Sequence, residues 1–184
     1  MKEDTRFEIR LAGAGGQGLI LAGIILAEAA IYDGKNVTQT QSYGPEARGG
    51  SSHSEVIVAD GDIDYPKVTQ ANLILCMSQE SCDKYFYDVK RDGVLIVDAS
   101  HVSRVPTSKA CKVDLTGLAT EVTGRAIMAN VVALGLIVGL TGIVSRQAIE
   151  AAVAAHAPRG TKELNLKALA AGLKEAKRLK SQHE

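Results

Sequence analysis

Phe7-Glu8-Ile9-Arg10-Leu11-Ala12-Gly13-Ala14-Gly15-Gly16-Gln17-Gly18 is the stretch that decides the fold class. Phe7 to Ala12 alternate apolar and polar side chains, as a strand does before a tight turn. The glycines at 13, 15 and 18 then match G-x-G-x-x-G. Beyond Gly18 the small and apolar residues Leu19, Ala22, Gly23, Leu26, Ala27 and Ala30 recur at helical spacing as far as Asp33-Gly34, where glycine supplies a left-handed stop. Strand, glycine turn and helix follow in the order that an anion-binding turn requires. Asn36 to Gln41 resumes as an extended segment, so a strand–helix–strand unit with parallel pairing and a right-handed crossover is predicted.

The rest of the chain repeats these alternations. Glu55 to Ala59, Asn72 to Met77 and Gly93 to Asp98 read as strands, the last two as short apolar runs of the kind buried on both faces, and Cys111 to Leu115 as one more. Gln79 to Val89 reads as a helix capped by Ser78. Ala129 to Leu140 is apolar nearly all round and predicts a buried helix whose Gly135 and Gly139 permit close approach. Ser145 caps a helix to Ala155, and a last helix of roughly twenty residues begins near Thr161, with a stripe of Leu166, Leu169, Leu173 and Ala176 among its lysines. Ser42 to Ser54 holds Gly44, Pro45, Gly49 and Gly50 and reads as a loop. These elements predict one α/β domain over residues 1–184, a Rossmann-like three-layer fold with a mainly parallel sheet flanked by helices and a helical C-terminus.

Composition narrows the partners. The 184 residues fit a single core, since a chain of this size buries roughly 70% of its unfolded surface. Lys plus Arg and Asp plus Glu are equal at 21 each, so no net field draws the chain to nucleic acid or an anionic membrane. Leu19 to Ile31 is interrupted by Glu28 and is shorter than the ~20 residues a bilayer crossing needs. Met1 to Arg10 is charged and strand-like rather than a signal peptide, and the three cysteines, Cys76, Cys82 and Cys111, form no close-spaced pair. A cytoplasmic setting with free thiols is expected, with no metal held by this chain alone.

Two constellations can carry chemistry. Gly13, Gly15 and Gly18 let backbone amides approach a phosphate, carboxylate or pyrophosphate, or they serve only close strand–helix packing. A nicotinamide site would add an Asp or Glu at the end of the second strand, where this chain has Thr38-Gln39-Thr40-Gln41, and Gly16-Gln17 puts a second glycine and a long amide in the turn. The second constellation, Ser42-Tyr43-Gly44-Pro45-Glu46-Ala47-Arg48-Gly49-Gly50-Ser51-Ser52-His53, gathers a phenol, carboxylate, guanidinium and imidazole beyond a strand's carboxyl end. Arg48 could clamp an anion in two-pronged fashion and Glu46 orient it or transfer a proton, or these ions could pair with one another on a solvated loop. His53 reads as a hydrogen-bonded structural residue rather than a ligand. No nucleophile elbow, paired metal carboxylates or phosphate-loop lysine is present.

At these two motifs the chain resembles the gamma subunit of 2-oxoacid:ferredoxin oxidoreductases. Arg10-Leu-Ala-Gly-Ala-Gly-Gly-Gln-Gly18 looks like that family's opening signature and Gln39-Thr-Gln-Ser-Tyr-Gly-Pro-Glu-Ala-Arg-Gly-Gly50 like its second. Tyr43-Gly44 and Ala47-Arg48 are most similar to the 2-oxoglutarate branch, and Asp64-Tyr65-Pro66-Lys67 and Met128-Ala129-Asn130 also look like family segments.

The resemblance implies an enzyme that decarboxylates a 2-oxoacid on thiamine diphosphate and magnesium, passes two electrons through iron–sulfur clusters to ferredoxin, and transfers the acyl group to coenzyme A. In that family the cofactors sit on alpha, beta and sometimes delta subunits. This chain would then be a docking subunit, inactive in isolation. Gly13, Gly15, Gly16, Gln17, Gly18, Ser42, Tyr43, Glu46, Arg48 and Gly49 would form its intersubunit or coenzyme A-side surface. Partner-facing surface of this kind leaves the isolated chain able to self-associate. The alternatives are a stand-alone nucleotide-binding oxidoreductase and a purely structural interaction module.

Overall fold

A computed structural model describes residues 6–43, 51–108 and 110–182. The strands are β1 (Arg6–Ala14), β2 (Asn36–Tyr43), β3 (Ser51–Ala59), β4 (Ala71–Cys76), β5 (Val89–Asp98) and β6 (Cys111–Val113). The helices are α1 (Leu19–Tyr32), α2 (Gln79–Tyr85), α3 (Leu115–Thr123), α4 (Ala129–Thr141), α5 (Arg146–His156) and α6 (Lys162–Lys180). Among the described residues these six strands form one sheet in the order β2-β3-β1-β4-β5-β6. β4 pairs parallel with β1 and β5, and β6 parallel with β5, while β3 runs antiparallel to both β1 and β2.

That order corrects the predicted strand–helix–strand pairing. β2 runs in the direction of β1, yet β3 lies between them. The cause is apolar content. β3 carries Val56, Ile57, Val58 and Ala59, all at most 3% exposed, and so takes the inner position. β2 is built of Thr, Gln and Ser and remains half-exposed at the edge, where polar side chains guard unpaired backbone. The predicted loop at 42–54 also shortens: β2 continues through Tyr43 and β3 starts at Ser51, so both flanks are paired strand.

The helices divide unequally between the two faces. Ile9, Leu11, Val56, Val58, Leu73, Leu75 and Ile96 face a large core shared with α1, α3, α4, α5 and α6. The opposite face, with Ala12, Ile57, Ile74, Cys76, Leu95 and Val97, is covered by α2 and the segment that carries Ile63 and Val68. Helix α4 is buried at every residue from Ala129 to Val138 because it lies inside the larger layer. The apolar stripe of α6 packs on the chain's own core: Leu169 and Ala176 are fully buried and Leu166 and Leu173 lie against the same cluster. Helix α3 is unforeseen in the sequence reading. Its N-terminal Asp114 accepts from Gly117 N at 2.8 Å and Gly124 ends it at φ 72°.

The predicted caps form. Ser78 and Ser81 make a reciprocal capping box at α2, and Ser145 Oγ accepts from Ala148 N at 3.1 Å at α5. Gly34 stops α1 at φ 73°.

Candidate functional site

The glycine turn stands at the carboxyl end of β1, where β4 and β5 also end. Gly13 is buried within β1, and the space its missing Cβ would take is filled by the Gln17 amide, which would lie 2.3 Å away, and by Leu19. Gly15 and Gly16 are exposed, with Gly16 at φ 87°. Gly18, at φ 74°, precedes α1, and a Cβ there would sit 2.5 Å from the Asn130 side chain. Asn130, at the start of α4, donates from Nδ2 to Gly18 O at 3.1 Å.

Gln17 is a tie within the turn. Its Oε1 accepts from Ala14 N at 2.8 Å and its Nε2 donates to Met77 O at 2.8 Å. Met77 N in turn donates to Ala12 O at 2.8 Å. The side chain thus joins the ends of β1 and β4, which accounts for the long amide that a plain dinucleotide turn does not need.

The two sequence motifs meet in the fold. Across the sheet Tyr43 pairs with Ser52, and Ser52 with Gly13, so the Tyr43–Ser52 end of the β2–β3 pair abuts the glycine turn. Ser42 and Tyr43 end β2 with exposed side chains, Tyr43 at 68%. Glu46, Arg48 and Gly49 lie outside the described residues. The strand order bears on nucleotide chemistry: the acid that grips a ribose sits on a second strand beside the first, and here β3 occupies that place.

Beneath the hairpin is a polar cluster that sequence reasoning missed. Arg10, 7% exposed, donates to Glu55 at 2.8 and 2.9 Å, to Val68 O at 3.2 Å and to Asp88, and its guanidinium lies 4.8 Å from the centre of the Tyr85 ring. Burial works against this charge, and the hydrogen bonds and charges of Glu55 and Asp88 outweigh it, raising the Arg10 pKa. His53 Nδ1 is 3.1 Å from Tyr85 Oη, as suits the structural role read for it. Burial first, then the charges of Arg10 and Lys84, push the His53 pKa down against the pull of Glu55. The sequence signals for this cluster are a charged residue at alternate positions of two otherwise apolar strands, Arg10 and Glu55, which register brings face to face.

A pocket of about 230 Å³ opens beside the turn, lined by Gly16, Gln17, Met77, His101, Thr116 and Ile127 among others. Neither His101 nor Thr116 stands out in the sequence. The available signal is Asp98, a carboxylate closing an apolar strand, with His101 three residues on.

The donor set does not fit a metal cluster. Cys76 and Cys82 are buried and Cys111 half-buried, and no group of three or more His, Cys, Asp or Glu among the described residues could hold a metal ion. An iron–sulfur cluster takes four thiolates, and the chain has three cysteines. No helix among the described residues is long and apolar enough to cross a membrane.

Comparison with known proteins places this geometry. Residues 8–175 match the family model described as pyruvate ferredoxin/flavodoxin oxidoreductase. The chain is 48% identical over 182 residues to 2-oxoglutarate synthase subunit KorC of Methanocaldococcus jannaschii, covering 95% of this chain and 96% of that one. Among solved structures it is similar to the gamma subunit of a keto/oxoacid ferredoxin oxidoreductase from Geobacter sulfurreducens, with TM-score 0.85, 50% identity, and 95% and 98% of the two chains covered. The fold also recurs in 2-oxoglutarate:ferredoxin oxidoreductase from Magnetococcus marinus, a structure with 2-oxoglutarate, coenzyme A and succinyl-CoA bound, at TM-score 0.85 and 21% identity. There it occupies 32% of a longer chain.

Proposed function

The chain belongs to the pyruvate ferredoxin/flavodoxin oxidoreductase family, and from that membership we propose that it is the gamma subunit of a 2-oxoacid:ferredoxin oxidoreductase acting on 2-oxoglutarate. The observation that carries this is the end-to-end 48% identity with a 2-oxoglutarate synthase subunit. In the assembled enzyme, partner subunits hold thiamine diphosphate with magnesium and the iron–sulfur clusters, and coenzyme A is the acyl acceptor. The reading is supported by a cysteine set unsuited to clusters and by exposed apolar side chains on α1, Leu21, Ile24 and Ile31, which a partner can cover.

The glycine turn, with Gly13, Gly15, Gly16, Gln17 and Gly18, and the hairpin with Ser42, Tyr43, Glu46, Arg48 and Gly49 form the surface turned to the partner subunits or to the anionic part of coenzyme A. The support is the row from Tyr43 through Ser52 to Gly13, which brings both motifs to one end of the sheet. The test is co-purification of the tagged chain with its alpha and beta subunits, followed by an assay of 2-oxoglutarate-dependent reduction of a ferredoxin surrogate. Recovery of both subunits and activity that requires this chain is the expected result. A chain that recruits neither subunit, or an alpha–beta pair fully active without it, overturns the assignment.

A further inference from the structure

Among the described residues the sheet has two edges of unequal length, β2 with eight residues and β6 with three. Antiparallel pairing commits alternate N–H and C=O groups of β2 to β3 and turns the others outward, where they bond water or another strand. Polar side chains clothe this edge, yet the stronger guards against pairing are missing. Asn36-Val37-Thr38-Gln39-Thr40-Gln41-Ser42-Tyr43 contains no charge and no proline. Its register with β3 runs from Asn36 opposite Ala59 to Tyr43 opposite Ser52 without a bulge.

Two further features lie along the same edge. Helix α1 sits so close on β3 that a Cβ on Gly23 would lie 2.0 Å from Ser54 Oγ, and Ser54 pairs with Gln41 of β2. The same helix leaves Ile24 and Ile31, two turns apart, exposed. Thr38 Oγ1, in the middle of the strand, is shielded from solvent and has no hydrogen-bond partner among the described residues. Threonines opposite one another on paired strands bond through their hydroxyls.

We propose that β2 pairs antiparallel with β2 of a second copy of this chain about a twofold axis, joining two six-stranded sheets into one continuous sheet. The occupant follows from charge and closure. An uncharged strand meets its own copy with no like charges opposed, so the edge is complementary to itself. Pairing of β2 with β6 of another copy would engage three residues and leave further edges open, whereas β2 with β2 uses the long edge of both copies and closes. Thr38 and Thr40 then meet their counterparts near the axis, and Ile24 and Ile31 of the two α1 helices flank the seam on one face of the sheet. The pairing is independent of the subunit role proposed above.

The test is the mass of the full chain by sedimentation equilibrium over a concentration series, with hydrogen exchange of the β2 amides followed on the same samples. The expected result for the wild-type chain is a two-chain species whose β2 amides exchange more slowly as it forms. Thr38→Lys with Thr40→Lys, and separately Thr38→Glu with Thr40→Glu, oppose like charges across the axis, and each pair should weaken self-association by at least about tenfold. An equimolar mixture of the two variants should recover the two-chain mass, which neither misfolding nor a different interface would give. A wild-type chain of single mass, with β2 exchange independent of concentration, overturns the proposal. So does a dimer that neither charged variant weakens, or a mixture of folded variants that stays monomeric. Should a variant fail to fold, exchange in the wild-type chain decides: a dimer whose β2 amides exchange as in the monomer pairs elsewhere. A monomeric wild-type chain whose recovery of alpha and beta subunits is lost in the lysine variant assigns the edge to a partner subunit instead.

Discussion

The side-chain amide of Gln17 donates to the Met77 carbonyl at 2.8 Å and so binds the glycine turn to the end of the neighbouring strand β4. With Oε1 occupied by Ala14 N, the turn is held by its own side chain as well as by its backbone. A glycine turn whose shape is secured in this way presents Gly15 and Gly16 without a ligand to order them.

Replacing Gln17 with Ala removes both bonds and leaves a part-buried N–H and C=O without these partners. The expected cost is about 1–3 kcal/mol, read as a shift in the urea midpoint at unchanged slope. Gln17→Glu retains an acceptor for Ala14 N but places an oxygen against Met77 O, so it should be no better than Ala. A midpoint unmoved by either change would mean that the tie contributes nothing.

Gly135 of α4 and Gly172 of α6 face each other where the two helices cross. A Cβ on Gly135 would lie 2.1 Å from Leu169 O, and one on Gly172 would lie 2.0 Å from Val132 O. The obstacle is backbone, so no rotamer change relieves it. Alanine gains about 1 kcal/mol of helix propensity, yet overpacking of this kind typically costs about 1–3 kcal/mol and more when backbone must shift. Each Gly→Ala change should therefore lower the Tm, and circular dichroism melts will show it. A raised Tm would mean that the crossing is looser than the geometry requires.

His53 supplies a pH dependence. Its folded pKa is held below the ordinary value near 6.5 by burial and by Arg10 and Lys84. As pH falls, the unfolded chain takes the proton first, so this contribution to stability is complete above the unfolded pKa and is lost as pH falls through the folded one. Stability should decline on acidification below about pH 6.5, with a slope of at most about 1.4 kcal/mol per pH unit for this one proton. His53→Asn should flatten that part of the curve in urea titrations between pH 8 and 5. Parallel curves for the two proteins would assign the dependence to other groups.

Much of the architecture was legible because its determinants are local. The alternation of Phe7 to Ala12, the glycines of the turn, the helical spacing after Gly18 and the serine caps at 78 and 145 each act within a few residues, and the structure contains them where sequence puts them. Helix α3 escaped because Leu115–Thr123 is a short amphipathic stretch with three threonines and a glycine, which packing rather than propensity makes helical.

What sequence alone determined is thus most of the elements, α3 excepted, the placing of both motifs at strand ends and the family signature they carry. Tertiary structure alone decided that β3 enters between β1 and β2, because the choice depends on which of two distant strands buries more apolar surface. It also decided that Arg10 meets Glu55, 45 residues away, that Asn130 reaches Gly18, and that Asp98 turns His101 toward the glycine turn. Such pairings come from register and packing across the whole sheet, and no local period in the chain encodes them.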